Sequence, residues 1–364
     1  SQDRLLDVKE HLKRRTYQPK PVRRVWVPKP GNPAQKRPLG VPTVRDRVVQ
    51  TALKMVIGPI FEREFAGHSY GFRPGRGCKD ALREVDRLLK GGLLHVVDAD
   101  IKAYFDSIPH EALLGLVKEH VADGRVLELV GQLLGQGVLE DMKQWEPEEG
   151  TPQGGVVSPL LANIYLNPLD WLLAGAGLQM VRYADDFVVL AESREQALHA
   201  LELVRGWVEK AGLELHPDKT RVADLGQPGE YFDFLGYRFM RTRRGKLRRL
   251  VPPKSKKNLR IKLKPLTRRC SGRSLEATIA RTNPVLRGWF GHFKHAPRWQ
   301  LAEVDGWVRG RLRAILRKRH RRKGRARGKD HVRWPNRYFE SLGLYSLADA
   351  RDDAIASLRN GANR

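Results

Sequence analysis

The chain has 364 residues, 41% of them hydrophobic, which is enough for a large core and predicts two or three domains. No apolar run approaches the length that spans a bilayer, the first 20 residues are charged, and Cys78 and Cys270 lie far apart. These features argue against a membrane protein, a secretory signal, a disulfide framework and a cysteine-based zinc site. We therefore expect a reduced, cytoplasmic protein.

The positive charge is concentrated in the last third of the chain. The formal net charge is +27, yet residues 1–237 carry 31 Lys and Arg against 33 Asp and Glu. Residues 238–364 carry 37 basic and 8 acidic residues, and the blocks 238–273 and 309–329 contain no acidic residue. A solvated surface usually mixes both signs, so acid-free blocks indicate a polyphosphate partner. No membrane-seeking amphipathic helix accompanies them, which favours nucleic acid over membrane.

Apolar periodicity predicts the elements of the first half of the chain. A short helix within residues 1–20 precedes a basic hairpin with the strands "VRRVWVPK" and "RPLGV". Helices are predicted over "VRDRVVQTALKMVIGPIFEREF" and from about Lys79 to Leu89, separated by the loop "GHSYGFRPGRG". A strand, "LLHVVDADI", then leads to the helix "PHEALLGLVKEHV", which Pro109 opens.

The second half is predicted to continue with a helix over 125–135 and a loop around "EPEEGTPQGG". A long apolar helix, "VVSPLLANIYLNPLDWLLA", precedes two strands that flank "YADD", and a helix follows from about Arg194 to Ala211. Short strands are expected within residues 213–240, and basic helices with interleaved Trp and Phe beyond 250. This order indicates an α+β fold rather than a βαβ repeat, with a domain boundary near residue 250.

Three carboxylates are placed where they can meet. Asp100 ends a predicted strand, and Asp185 and Asp186 lie at a predicted hairpin turn. If the two strands are neighbours, three carboxylates cluster, an arrangement that is costly without cations. Phosphodiester synthesis uses two divalent ions about 3.5–4 Å apart, and Mg²⁺ prefers oxygen ligands. The pattern therefore favours a two-metal centre for nucleotidyl transfer over a plain exposed turn.

Other residues fit the same chemistry. Lys29 and Arg37 lie on the basic hairpin, where they could clamp a triphosphate. Phe105 follows Asp100 by five residues and could form a wall against the sugar. In "TPQGG", Gly154 and Gly155 lack side chains and would let the backbone approach a base closely.

Eight segments together resemble those of bacterial group II intron-encoded reverse transcriptase/maturases, from about residue 20 to the C-terminus. They are "RPLGVPTVRDRVVQ", "HSYGFRPGRG", "DIKAYFDSIPH", "GTPQGGVVSPLLANIYL", "RYADDFVVLA", "LELHPDKT", "FDFLGYRF" and "LRGWFGHF". Any one of these segments is moderate evidence, and "YADD" alone occurs by chance. Their presence together in this order makes the resemblance specific.

The resemblance implies a right-hand polymerase fold followed by a basic α-helical thumb. Fingers are expected over 1–95, with the family's N-terminal extension short or absent. The palm, with its antiparallel sheet, is expected over 96–250 with some interleaving of fingers and palm. The thumb, or maturase X domain, is expected over 251–364, without an HNH endonuclease domain. The implied location is the bacterial cytoplasm, at the nucleoid or in a ribonucleoprotein.

The resemblance also assigns roles to individual residues. Asp100, Asp185 and Asp186 match the catalytic aspartates, and the metal site, comprising these three and Ile101, is expected to bind two Mg²⁺ ions that Mn²⁺ can replace. The residues expected to contact the incoming nucleotide are Lys29, Arg37, Phe105, Gln153, Gly154 and Lys219. The residues expected to contact primer or template are Arg73, Arg76, Tyr183, Phe234, Leu235, Gly236 and Tyr237.

Several of these residues have an alternative interpretation. Asp98 lies on the same strand face as Asp100 and could be a further ligand, although the "DIK" segment selects Asp100. Arg73 and Arg76 could bind template phosphate or brace their own loop, and Tyr183 could be a packed strand residue. Trp289, Phe290 and Phe293 fit the core of a thumb helix better than base-stacking platforms.

The implied activity is RNA-directed DNA synthesis on intron RNA, together with binding of that RNA as a splicing cofactor. The expected partners are intron RNA, an RNA template with a DNA primer, dNTPs and target DNA, and no membrane. One alternative is a domesticated relative that acts in DNA repair, phage defence or CRISPR spacer acquisition. Another is an RNA-binding maturase without polymerase activity, which the three retained aspartates disfavour.

Overall fold

The computed structural model describes residues 2–29, 32–141, 143–270, 272–322, 324 and 327–361, with the backbone alone for 29, 32–34 and 358–361. The chain divides into two compact units, Ser1–Leu235 and Gly236–Arg364. Both α-helices and β-strands occur in each unit, as the α+β prediction requires. Within the described residues, every helix is too short or too polar to cross a membrane.

The first unit contains seven α-helices and nine strands in its described residues. In chain order they are α1 (Gln2–Lys13), β1 (Val22–Lys29), β2 (Asn32–Val41), α2 (Val44–Glu64), α3 (Cys78–Lys90), β3 (His95–Asp100), α4 (His110–His120), α5 (Gly124–Leu134), β4 (Val138–Glu140), β5 (Lys143–Trp145), α6 (Ser158–Gly175), β6 (Gln179–Tyr183), β7 (Asp186–Ala191), α7 (Arg194–Lys210), β8 (Arg221–Asp224) and β9 (Tyr231–Phe234).

The basic hairpin belongs to a four-stranded sheet with the order β2-β1-β4-β5. Strands β1 and β2 are antiparallel, whereas β4 runs parallel to β1, with Val22 opposite Val138. The hairpin and the helices after it lie where their sequence patterns predict. Strands β4 and β5 were not predicted, because each has only three residues and all three residues of β5 are exposed. Their conformation is set by pairing rather than by an apolar pattern.

The second sheet carries the aspartate strands and has the order β6-β7-β3-β8, antiparallel throughout. Alternation along β3 turns Val97 and Ala99 to one face, where Phe187 and Val189 of β7 also lie. Apolar residues of α6 and α7 belong to the same buried cluster, so these helices cover that face. The opposite face carries Asp100 at the end of its strand.

The second unit is mainly helical. Its elements are β10 (Tyr237–Arg241), β11 (Leu247–Leu250), α8 (Pro253–Leu266), α9 (Leu275–Phe293), α10 (Arg298–Arg319), α11 (Gly328–Arg333), α12 (Asn336–Ser341) and α13 (Leu347–Gly361). Strands β10 and β11 form an antiparallel hairpin. Phe290 and Phe293 are buried, as expected for helix core, and Trp289 is half-buried with its ring 4.7 Å from that of Phe293.

Buried carboxylates fix the helix ends of this basic unit. Asp305 on α10 accepts hydrogen bonds from the backbone N–H groups of Leu347 and Ala348, each at 3.0 Å, at the start of α13. Asp330 accepts from the Arg327 N–H at 2.9 Å and forms an ion pair with Arg317. Two of the eight acidic residues in 238–364 therefore stabilise the helical packing of this unit.

Candidate active site

The predicted hairpin places two carboxylates at the end of the second sheet. Strands β6 and β7 are joined by a two-residue turn, Ala184–Asp185, with Tyr183 opposite Asp186 in the ladder. On the other side of β7, Asp100 of β3 lies directly opposite Asp186. The two strands are thus neighbours, as predicted, and the hairpin brings Asp100, Asp185 and Asp186 to one end of the sheet.

The environment of Asp185 and Asp186 disfavours the charged form of their carboxyl groups. Burial raises the pKa of Asp186 to about 7, and the nearby carboxylates add to the effect, against a 3.3 Å hydrogen bond from the Leu235 N–H. Burial also raises the pKa of Asp185, with a contribution from Asp100. Like charges placed opposite each other on a sheet are destabilising, so this cluster requires positive charge nearby.

Two basic residues supply part of that charge. Lys219 forms an ion pair with Asp100, and the positive charge of Arg37 lowers the pKa of Asp185 against the effect of burial. With Asp100 paired to Lys219, no three His, Cys, Asp or Glu side chains of the described chain are arranged to hold a metal ion. The chemistry of the donors nevertheless fits a hard divalent cation. All of them are carboxylate oxygens, and the carboxylates are crowded together and at least half-buried.

Two further candidates lie on β3. Ile101 is buried in the core, and its side chain is a hydrocarbon, so its backbone oxygen is its only atom suited to binding a cation. Asp98 lies opposite Val188 on one side and Arg221 on the other. Burial raises the pKa of Asp98 to about 6, and Arg221 opposes the effect.

Most of the candidate nucleotide contacts lie on the β1–β2 hairpin and on the loops that contain Phe105 and "TPQGG". Arg37 is exposed on β2 opposite Val27, while the side chain of Lys29 lies outside the described part of the chain. Phe105 is partly buried after β3, and its carbonyl oxygen accepts from the Thr151 N–H at 2.6 Å. That bond ties the loop containing Phe105 to the "TPQGG" loop.

The "TPQGG" loop is held against β2. The Gln153 carbonyl oxygen accepts from the Gly40 N–H at 2.8 Å. Gly154 has a φ of 123°, and a Cβ atom there would lie 2.5 Å from the Gly40 carbonyl oxygen. Only glycine fits this approach, which sets Gln153 and Gly154 beside the strand that carries Arg37.

The candidate primer contacts divide between the two units. In the first unit, Tyr183 is half-buried with its ring 6.3 Å from that of Phe72, Phe234 is buried, and the Leu235 N–H donates to Asp186. In the second unit, Gly236 has a φ of 79°, and buried Tyr237 donates from its hydroxyl to the His292 carbonyl oxygen at 2.6 Å.

Arg73 and Arg76 both contact their own loop. The Arg73 guanidinium is buried, pairs with Glu62 and donates to the Ala66 and Ser69 carbonyl oxygens at 2.6 and 2.9 Å. Arg76 donates to the Gly67 carbonyl oxygen and lies 5.7 Å from the Tyr70 ring. These contacts match the interpretation as a brace, and a template contact stays a prediction for both.

Sequence reasoning missed residues that surround the turn. Phe72 is 49% exposed against Tyr183, beside the aspartates. Arg182, Asp170 and Asn163 are buried behind the turn, and the Arg182 guanidinium donates hydrogen bonds to both Asp170 and Asn163. Asn163 and Asp170 are seven residues apart in a mainly apolar helix, and both are buried on the same face. Two polar residues with this spacing were the signal available in the sequence.

Comparison with protein families assigns most of the chain. The reverse transcriptase (RNA-dependent DNA polymerase) family matches residues 27–239, which include the three aspartates. The group II intron, maturase-specific domain matches residues 256–334, within the second unit.

Individual relatives agree. The chain is 30% identical to the group II intron-encoded protein LtrA of Lactococcus lactis subsp. cremoris, with 68% of this chain and 52% of LtrA covered. It is 34% identical to the protein YkfC of Escherichia coli, with 62% of this chain and 68% of YkfC covered. The chain thus spans about half the length of LtrA.

Among solved structures, telomerase from Candida albicans is similar over 84% of this chain and 60% of its own, at 13% identity and a TM-score of 0.49, which is too low to support an argument. The family matches do not depend on that similarity. The α+β fold with its antiparallel aspartate sheet and basic helical C-terminal region is that of a right-hand polymerase. The chain belongs to the group II intron reverse transcriptase/maturase family.

Proposed function

We propose that the protein is an RNA-directed DNA polymerase that copies the RNA of a group II intron into DNA and binds that RNA as a splicing cofactor. The observation that carries the proposal is the position of Asp100 opposite Asp186, with Asp185 in the adjoining turn. Three carboxylates in one place suit divalent cations and are unfavourable without them. Their position inside the region that matches the reverse transcriptase family connects this chemistry to DNA synthesis.

Asp100, Asp185 and Asp186 would hold two Mg²⁺ ions, with Mn²⁺ able to replace them. When bound, these ions would lower the pKa of the primer 3′-hydroxyl and offset the charge of the pyrophosphate leaving group. Lys219 pairs with Asp100, and its ammonium group would contribute positive charge at a bound triphosphate.

The remaining residues would hold and select the nucleotide. Arg37, exposed on β2, and Lys29 on the neighbouring strand would bind the triphosphate, so that positive charge is already in place as the leaving group forms. Phe105 would lie against the sugar and exclude a 2′-hydroxyl. Gln153 and Gly154, held to β2 by Gly40, would lie along the new base pair.

The second unit would bind RNA. It carries the maturase-specific match, and α8 presents Lys254, Lys257 and Lys262 to solvent without an acidic residue in the helix. Positive charge of one sign attracts the phosphate backbone and gives binding that weakens with salt. The partners proposed for this unit are intron RNA and the template–primer duplex, and target DNA is a further one.

A primer-extension assay tests the polymerase. The wild-type protein should extend oligo(dT) on poly(rA) with dTTP and Mg²⁺, and Asp185→Asn should lower the rate at least about a hundred- to a thousandfold, because the isosteric amide loses the charge that binds the cation. RNA affinity should be unchanged. Glu202→Gln, an exposed neutralisation on α7, is the matched control and should keep the wild-type rate.

Extension by Asp185→Asn at the wild-type rate would contradict the assignment. A wild-type protein that binds intron RNA tightly but extends no primer would instead favour the maturase without polymerase activity. An intron with a domain V hairpin in the flanking DNA would support the intron function, and defence genes there would favour the domesticated alternative.

A further inference from the structure

The turn that carries Asp185 has an unusual backbone. Ala184 has a φ of 60°, in the left-handed region that glycine enters freely and alanine does not. Holding a non-glycine residue there costs about 1–2 kcal/mol. Such a conformation persists only where neighbouring groups impose it, and it decides the direction in which the next side chain leaves the backbone. The groups that impose it are therefore part of the site.

Arg182 contacts this turn from the buried side. Its guanidinium is fully buried and donates to the Ala184 carbonyl oxygen at 3.0 Å. The Arg182 Nε and its second terminal nitrogen both donate to the carboxylate of Asp170 on α6, Nε at 2.7 Å, so the pair is bidentate. A planar guanidinium fixed on one side by a carboxylate has a fixed direction on the other side. Arg182 thus binds the turn to the helix.

Asn163 connects the same guanidinium to a second support. Its Oδ1 accepts from Arg182 at 2.9 Å, and its Nδ2 donates to the Gly71 carbonyl oxygen at 2.7 Å. Gly71 lies against the turn so closely that a Cβ atom would be 2.2 Å from the Ala184 nitrogen. The turn is therefore enclosed between the Arg182 guanidinium and the backbone of the 67–77 loop.

We propose that Arg182, held by Asp170 and Asn163, is a positioning residue that keeps Ala184 left-handed and thereby directs the carboxylates of Asp185 and Asp186. This inference rests on the proposed polymerase function. The alternative is that the Arg182–Asp170 pair only stabilises the core. Buried ion pairs can often be replaced by apolar residues without loss of stability. An apolar replacement of Arg182 and Asp170 therefore tests the positioning role separately from any contribution to stability.

The test combines an apolar replacement of the pair with a change at the turn. Arg182→Met/Asp170→Leu should fold, bind Mn²⁺ about tenfold more weakly by electron paramagnetic resonance, and lower the single-turnover incorporation rate at least about tenfold at saturating dNTP. Adding Ala184→Gly should restore roughly fivefold of that rate, because glycine adopts the left-handed turn without support. Ala184→Gly alone provides the reference rate against which this gain is compared.

Several controls keep the outcome decisive. Arg313→Lys alters another buried arginine, in the second unit, and should lower the unfolding temperature without changing Mn²⁺ affinity or the single-turnover rate. If the double variant does not fold, Asn163→Ser removes the amide bridge but keeps the ion pair, and should weaken Mn²⁺ binding in the same direction. Additive effects of the pair and Ala184→Gly, or wild-type Mn²⁺ affinity in a folded variant, would overturn the positioning role.

The two proposals fail in different ways. A wild-type protein without polymerase activity would refute the proposed function, while Mn²⁺ affinity would still report on the role of Arg182. An active wild type whose folded pair variants keep full rate and Mn²⁺ affinity would refute the positioning role alone.

Discussion

The two units use charged residues in opposite ways. The first carries nearly equal numbers of both signs and buries several, including Asp46, Asp170 and Arg182. Its aspartates meet at the end of a sheet, where burial raises the pKa of Asp186. The second unit carries a large excess of cations, and two of its few carboxylates, Asp305 and Asp330, are buried at helix ends. The first unit thus has balanced charge with a few buried ionic groups, whereas the second unit carries an excess of positive charge that is mostly exposed.

This difference separates two physical tasks. Three crowded carboxylates require cations at one position, so cation binding in the first unit depends on each carboxylate and on the direction of its side chain. Exposed Lys and Arg side chains attract a polyphosphate through their combined charge, and each side chain contributes a modest part of the binding free energy. Single substitutions should therefore disable the first unit, whereas only combined ones should weaken the second.

A combined neutralisation in the second unit should have the largest effect among the following changes. Lys318, Arg321 and Lys329 are exposed within the acid-free block, and changing all three to Gln should weaken RNA binding about ten- to a hundredfold. The slope of log affinity against log salt should become less steep by about 2, because each of the three lost phosphate contacts on single-stranded RNA contributes about 0.7 to that slope. Filter binding over a salt series measures both.

The matched control removes the same charge from the first unit. Lys9, Lys90 and Lys118 are exposed there, and changing them to Gln should leave the salt slope nearly unchanged. Equal slopes for the two triple variants would mean that the charge acts through the net total and not through its position.

Selection of the sugar should depend on shape rather than on charge. Phe105→Val shortens the side chain expected to face the 2′-position, and should lower discrimination between dNTPs and rNTPs about tenfold while the dNTP rate changes little. Competitive incorporation of dTTP and UTP measures the ratio. Phe61→Leu, an apolar change on the buried face of α2, provides the control. Unchanged discrimination in Phe105→Val would contradict the role of Phe105 in sugar selection.

The buried acids of the second unit should act on stability alone. Asp305→Ala removes the acceptor for two N–H groups of α13 and should lower the free energy of unfolding by about 1–3 kcal/mol. Denaturation and hydrogen exchange of α13 measure the change. Asp353→Ala, an exposed acid on α13, should have little effect. An equal loss in both variants would show that net charge, and not the cap, is responsible.

The sequence was most informative where the chemistry is local. The helix over α6 and the strands flanking "YADD" follow from apolar periodicity, and Asp100 could be paired with the turn because carboxylates need a shared cation. Strands β4 and β5 could not be predicted, since each has only three residues and acquires strand geometry from the neighbouring strands with which it pairs.

The supports of the site escaped prediction for a related reason. Arg182 looks like any charged residue in a short strand, and its burial depends on Asp170 and Asn163 from a helix nearby in sequence and Gly71 from a remote loop. Arg73, expected to contact template or to brace its loop, shows the same limit, because half of its hydrogen bonds go to backbone oxygens, which no residue pattern records.

The parallel pairing of β1 with β4 has a consequence for synthesis on the ribosome. Val22 cannot find its partner until Val138 has emerged, and the aspartate sheet then waits for β6, β7 and β8. The segments of the two sheets alternate along the chain, so the first unit has no early piece that can fold by itself. Until β4 has been synthesised, the nascent chain exposes the unpaired edge of β1, which favours aggregation. A cut or an insertion near residue 95 would therefore leave two pieces with incomplete sheets rather than two domains.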